Sequence, residues 1–260
     1  MIKGLAEAAR AFHNPDWQSS AERAVRFIRE HMWRDGRLLA TSKDGHAHLS
    51  AYLDDYVFLI DALLELLQLR WNSADLQFAL QLAEVVLEHF AATDGGFYFT
   101  ADDHETLIQR PRPWNDDALP AGNAIAARVF GRLGHLLGDS RYLDACELTL
   151  RASWEHLQQS PYGHTGLLLA LEEYLQPVEI IVIRGNSRLS AWQQAANQGF
   201  QPRRMVFAIP DQATELPGLL AERRPMGEGV AYLCQGFQCQ PPVLTLDSLQ
   251  LEMNASVRGE

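Results

Sequence analysis

Twice in its first hundred residues the chain repeats one order of segments. A helix-period stretch, a short break, a second helix-period stretch, an Asp-Gly pair, a β-prone run ending in Thr and a long polar loop follow one another. In the first copy, residues 2–12 and 17–33 are the helices, Pro15-Asp16 marks the break and Asp35-Gly36 leads into Arg37–Thr41. In the second, 51–70 and 75–90 are the helices, Trp71-Asn72-Ser73 the break, and Asp94-Gly95 leads into Gly96–Thr100. A third pair, Ala121–Leu137 and Tyr142–His156, is joined by Gly138-Asp139. Arrays that alternate one short with one long connection carry every long connection at the same end. Loops 35–50 and 93–120 are therefore expected on one face, beside the helix starts near Ala51 and Ala121.

Such hairpins resemble part of an α/α toroid, in which helical hairpins ring a pocket mouthed by the long loops. Three hairpins would make about half of an (α/α)6-type ring, so the expected fold is mainly α over residues 1–175. From Gln176 the pattern changes. Short apolar runs at 179–183, 205–209 and 230–234, with helices near 189–199 and 216–222 between them, read as a small βαβαβ unit over 176–260 with three parallel strands. Its first strand ends Arg184-Gly185-Asn186, which lacks the GxGxxG spacing of a dinucleotide loop, and no cofactor is expected. The tail from Gln250 is expected to fray.

The 33 acidic against 22 basic residues give a net charge of -11, which argues against nucleic acid as a partner, because phosphate binding needs a basic surface. No apolar run approaches the ~20 residues that span a bilayer, so no membrane contact is expected. The first ten residues read as an amphipathic helix without a signal-peptide core, and the protein is expected to be cytoplasmic. Cys146, Cys234 and Cys239 are too few for a disulfide framework. Reduced thiols are expected, although Cys234 and Cys239 could pair in an oxidising setting. His46 and His48 lack a third ligand nearby, so no metal is expected.

The segment Arg110–Asn123 (RPRPWNDDALPAGN) concentrates arginines, carboxylates, a Trp and an Asn in a loop stiffened by prolines, which present polar groups in a defined geometry. Arg110 and Asp116 read as partners of one another or as clamps on a ligand. Arg112, Asp117 and a partly buried Asn123 complete the loop's ligand-binding candidates. At the start of the third helix, Asp54 projects with Asp61, Glu65 and Gln68 on the polar face. Asp55 aligns with Leu59, Ala62 and Leu66 on the apolar side, where a carboxylate must be paired, hydrogen-bonded or protonated. Asp54 is a ligand-binding candidate, while Asp55 and Asp116 are the candidate acid and base should the chain be an enzyme.

Four stretches together resemble one family: 51–59 (AYLDDYVFL), 95–98 (GGFY), 110–123, and Tyr232-Leu233-Cys234 with Cys239-Gln240-Pro241-Pro242. They are similar to the bacterial YyaL and animal spermatogenesis-associated proteins, which join an N-terminal thioredoxin-like domain to a six-hairpin α/α barrel. Arg110, Asp116, Pro120, Gly122 and Asn123 match the family's central motif, and Ala121 replaces its serine, so no serine-dependent chemistry is expected. The resemblance implies the C-terminal part of such a chain, without the thioredoxin-like domain or the first hairpins. Because the barrel is similar to those of sugar epimerases and glycosidases, it implies a small, sugar-like ligand on the loop face. The alternative is a non-catalytic interaction module, with a homodimer or a partner chain supplying the missing half-barrel.

Overall fold

The computed structural model describes residues 1–105, 108–186, 188–199 and 201–258, the last four by backbone alone. Helices α1 (Ile2–Phe12) and α2 (Pro15–Phe27) form the first hairpin. Asn14 caps α2 by accepting from the Asp16 and Trp17 amides at 2.9 and 3.3 Å, and Pro15 fills the first helical turn, where its missing N–H costs nothing. The helix expected to reach Trp33 gives way to a π-helical turn, Ile28–Met32.

Strands β1 (Trp33–Arg34), β2 (Arg37–Lys43) and β3 (His46–Ser50) form an antiparallel meander. The stretch read as a polar loop with His46 and His48 is thus a strand. Asp44-Gly45 repeats the turn at Asp35-Gly36, with positive φ at both residues of each pair, the geometry that closes two-residue hairpins. The second copy of the repeat differs. After Asp94-Gly95 the chain makes only an isolated bridge, Ala91 to Phe97.

The remaining helices are α3 (Leu53–Leu69), α4 (Ser73–His89), α5 (Gly122–Leu137), α6 (Ser140–Gln159) and α7 (Thr165–Leu175). Asn72 and Asp139 cap α4 and α6 through their side chains. Gly138, in the left-handed region, ends α5. Helices α1, α3, α5 and α7 pack side by side as one layer, and α2, α4 and α6 each pack on the preceding member of that layer. The mainly α class holds, and α7 adds a helix that the repeat pattern did not include.

The C-terminal part contains β4 (Glu179–Gly185), α8 (Leu189–Ala196), β5 (Arg204–Pro210), α9 (Leu219–Glu222), β6 (Gly229–Gln235), β7 (Gln238–Cys239) and α10 (Leu246–Arg258). Strand order is β5-β4-β6-β7. β4 and β5 are parallel, as expected across α8, but β6 runs antiparallel to β4. The register explains this correction to the all-parallel reading. Gly185 pairs with both Pro210 and Gly229, so β6 begins at the end of the sheet where β5 finishes, and the short α9 makes no crossover. The tail does not fray at Gln250 either, because α10 carries Leu249 and Met253 into the core.

The sheet is buried on both faces by period-2 alternation. Ile180, Val182, Met205, Phe207, Val230 and Tyr232 join the core of the helical layers, while Ile181, Ile183, Val206, Ala231 and Leu233 face Trp192 of α8 and Leu249 of α10. The main core therefore runs through the expected boundary at 175/176. Among the described residues no helix is long and apolar enough to cross a membrane.

Candidate functional site

The sequence candidates gather at the starts of α3, α5 and α7, and most are engaged by backbone. Asp55 is exposed rather than on the buried side. Its Oδ2 accepts from the Tyr52 amide at 2.9 Å, and its own N–H donates to the Tyr52 carbonyl at 3.1 Å, which fixes the first turn of α3. Partial loss of hydration raises its pKa, and the Tyr52 amide opposes that. Asp116 holds two helix starts. Oδ1 accepts from the Ala121 amide at 2.9 Å, while Oδ2 accepts from the Gly166 amide at 2.7 Å and the Thr165 hydroxyl at 2.8 Å. Burial works to raise its pKa, but the two amides, the hydroxyl and nearby His164 outweigh it, and the pKa is lowered.

Arg110 does not pair with Asp116. It donates to the Thr100 carbonyl at 2.5 Å and the His89 carbonyl at 3.1 Å, and lies 4.2 Å over the Tyr98 ring. Arg112 holds Asp94 with both terminal nitrogens and reaches the Gly95 carbonyl at 2.6 Å. Asn123 is fully buried and exchanges bonds with the Phe97 N–H (2.7 Å) and C=O (2.9 Å), with a third to the Pro113 carbonyl. These contacts brace the 93–120 loop on α5. Asp117 is exposed, and no hydrogen bond or ion pair of its side chain occurs among the described residues.

Asp54 is the exception on this face. Among the described residues its Oδ1 is buried without a hydrogen-bond partner, against Gly122. Burial and the neighbouring Asp55 charge raise its pKa. Among the described residues His46 and His48 join no metal-ligand group. A surface group of His89, Asp102 and Asp103 brings three ligand atoms together, but a bidentate Arg37 holds Asp103.

A second polar concentration lies further along the same helix, where sequence reading assigned solvent. Asp61, Glu65 and Gln68 of α3 are only 4, 6 and 2% exposed. Lys3 reaches Asp61 at 2.9 Å, Arg10 pairs with Glu65 and donates to Gln68, and Arg132 of α5 lies between Asp61 and Glu173 of α7, contacting the latter at 2.6 Å. Burial, with Glu7 adding to it, raises the pKa of Glu65 against the pull of Arg10. For Glu173 burial is outweighed by Arg132 and Arg128, and the pKa falls. Beside this network runs a groove of about 1290 Å³, bounded by α1, α3 and α5 on one side and by α8 and the segment leading to β5 on the other. Gln193, Gln194, Asn197, Gln198 and Gln201 line it, with Gln193 and Asn197 donating to the Gln68 and Gln193 carbonyls. The signal in the sequence was the i, i+4, i+7 spacing of Asp61, Glu65 and Gln68, matched by the basic Lys3 and Arg10 seven apart on α1.

A smaller cavity, about 390 Å³, sits between α5, α6 and α7 under Phe237. It holds the one free cysteine among the described residues, Cys146, whose thiol burial pushes up to about 12. Cys234 and Cys239, expected as reduced thiols, form a disulfide because β6 and β7 place them opposite one another.

Comparison with known proteins adds a relationship. The chain is similar to spermatogenesis-associated protein 20. It is 26% identical to the Homo sapiens protein over 263 aligned positions, which cover 94% of this chain and 34% of the relative. The Rattus norvegicus protein of the same name is also 26% identical. The Caenorhabditis elegans protein B0495.5 is 25% identical, with 96% of this chain and 36% of that protein covered. The chain spans about a third of the length of these relatives. No family model matches it.

Proposed function

We propose that the two helical layers are half of an (α/α)6-type toroid, and that the groove beside α1, α3 and α5 binds a small, neutral, hydroxyl-rich ligand of the sugar class. One observation carries this reading: amide-bearing residues, Gln194 and Gln198 exposed among them, line the groove, while its charged residues are already paired. Lys3 is matched by Asp61, Arg10 by Glu65, and Arg128 and Arg132 by Glu173. Paired charges leave little net field to attract an ion, whereas amides both donate to and accept from hydroxyls. In this reading Asp55, Asp116, Arg110, Arg112 and Asn123 hold the frame of the loop side, and Asp54 and Asp117 stay outside the groove lining.

Titration calorimetry against neutral mono- and disaccharides tests the proposal. Gln194→Ala and Gln198→Ala, both exposed on the groove wall, should each weaken binding several-fold, as the loss of one hydrogen bond of about 1 kcal/mol implies. Binding unchanged in both variants, or no saccharide bound at millimolar concentration, would refute it.

A second reading, completion of the ring by another chain, is favoured by α7. It closes the layer at one end without a hairpin partner behind it, and Leu168, Leu169 and Leu175 are exposed along it. A second copy covering this edge would give a dimer by light scattering that Leu169→Glu dissociates. A monomer at every concentration sinks that reading.

A further inference from the structure

The Cys234–Cys239 pair lies at the end of the β6–β7 hairpin. Cys234 pairs with Cys239 and Gln235 with Gln238, so the turn is Gly236-Phe237, with Gly236 at positive φ. The two cysteines are five residues apart. Disulfides stabilise mainly by closing long loops of the unfolded chain, and a loop this short in a hairpin already joined by backbone bonds offers little of that benefit. Structural stapling is therefore a poor account of the pair.

What surrounds the sulfurs points to chemistry. Nη2 of Arg223 lies 3.4 Å from Cys234 Sγ and 3.1 Å from Cys239 Sγ. Its guanidinium is stacked over Tyr232 at 5.3 Å, and among the described residues it has no carboxylate partner. The main chain here is pinned as well. The Arg223 carbonyl accepts from Arg184 at 2.8 Å, and the next carbonyl, of Arg224, accepts from the Tyr232 hydroxyl at 2.8 Å. A positive group fixed beside a sulfur favours thiolate over thiol, both as nucleophile and as leaving group. Cys239 is exposed and Cys234 half-buried, so an incoming thiolate reaches Cys239 first.

We infer that Cys234–Cys239 is a thiol–disulfide exchange site whose redox partner is a dithiol. A dithiol thiolate attacks Cys239 Sγ, the S–S bond breaks, and Cys234 departs as a thiolate stabilised by Arg223. The second thiol of the partner then attacks the mixed disulfide, closing the partner's own disulfide and releasing Cys239. Two electrons pass from the dithiol to the pair, and the two thiol protons of the partner end on Cys234 and Cys239. The exchange runs in reverse when the partner is a disulfide. The buried Cys146, with its thiol at about 12, takes no part.

The test is to treat the folded, oxidised protein with dithiothreitol or with glutathione at equal thiol concentration, alkylate with iodoacetamide and map the labels by mass spectrometry. Dithiothreitol should label Cys234 and Cys239 completely while Cys146 stays unlabelled and circular dichroism is unchanged. Glutathione should leave most of the pair oxidised, because the freed Cys234 thiolate displaces it from the mixed disulfide on Cys239. Arg223→Ala should slow reduction about tenfold, and Arg223→Lys should restore most of the rate. In Cys239→Ser, the remaining Cys234 should be alkylated with a midpoint below the ~8.5 of a free thiol. That variant decides the matter if Arg223→Ala fails to fold. A midpoint at or above that value, an unaltered rate in folded Arg223→Ala, Cys234 and Cys239 both free in air-exposed protein, or a disulfide that millimolar dithiothreitol leaves intact in the folded chain would each overturn the inference. Equal, complete reduction by glutathione would overturn the assignment to a dithiol.

Discussion

At the scale of single residues, Gly122 and Asp54 form the tightest meeting on the loop face. A Cβ at Gly122 would lie 2.1 Å from Asp54 Oδ1, so this glycine is required by space and not by its φ. Gly122→Ala should destabilise the protein by about 1–3 kcal/mol in urea denaturation, as overpacking does. Adding Asp54→Ala should recover most of the loss. The raised pKa of Asp54 sets the sign of a pH effect. With the folded pKa above the unfolded one, the ionised carboxylate works against folding. That penalty is full above the folded pKa and vanishes below the unfolded value of about 3.9. Asp54→Asn should therefore raise the urea midpoint at pH 7, by less than about 1 kcal/mol since solvent screens the group, and the gain should close as pH falls through 4. A gain that grows on acidification would contradict the burial account.

Asp116 acts between elements, tying the start of α5 through Ala121 to the start of α7 through Thr165 and Gly166. Its pKa is lowered, so the sign reverses: its stabilisation is full above the unfolded carboxylate value and is lost as pH falls through the folded one. Asp116→Asn, which turns an amide NH2 toward donors, should cost about 1–3 kcal/mol at pH 7. The wild-type advantage should shrink below pH 4, as measured by urea melts at the two pH values. The loop's proline-stiffened, polar character was legible in its sequence, as was its place beside the helix starts. Its partners were not, because Arg110 bonds to carbonyls of Thr100 and His89, and a carbonyl carries no residue-type signature.

For the whole molecule, the decisive feature is one core shared by helices and sheet. Phe207 of β5 packs edge-on to Trp71 at 6.2 Å, Gln193 of α8 donates to the Gln68 carbonyl at 2.7 Å, and the Val206 amide donates to Gln68 Oε1 at 3.3 Å. Calorimetry should show one transition for the chain. Phe207→Ala, at about 3–5 kcal/mol for a buried aromatic, should lower the melting of the helices and the sheet together. Two separable transitions, with only one moved by the substitution, would show that the parts fold independently.

What the sequence determined by itself was local: the helical hairpins, the turns at Asp-Gly and the apolar runs of the strands, each set by periodicity and backbone preference over a few residues. Only the tertiary structure decided which face of α3 turns inward. Tyr56, Leu59, Leu63 and Leu66 fill the core, yet Asp61, Glu65 and Gln68 are equally buried because α1 brings Lys3 and Arg10, and α5 brings Arg132, to meet them. A charged stripe reads as solvent-facing until its counter-charges are known, and those lie 55 and more residues away in the chain. The same holds for β6. Its apolar run marked a buried strand, but its direction depended on the end of the sheet at which the preceding chain arrived.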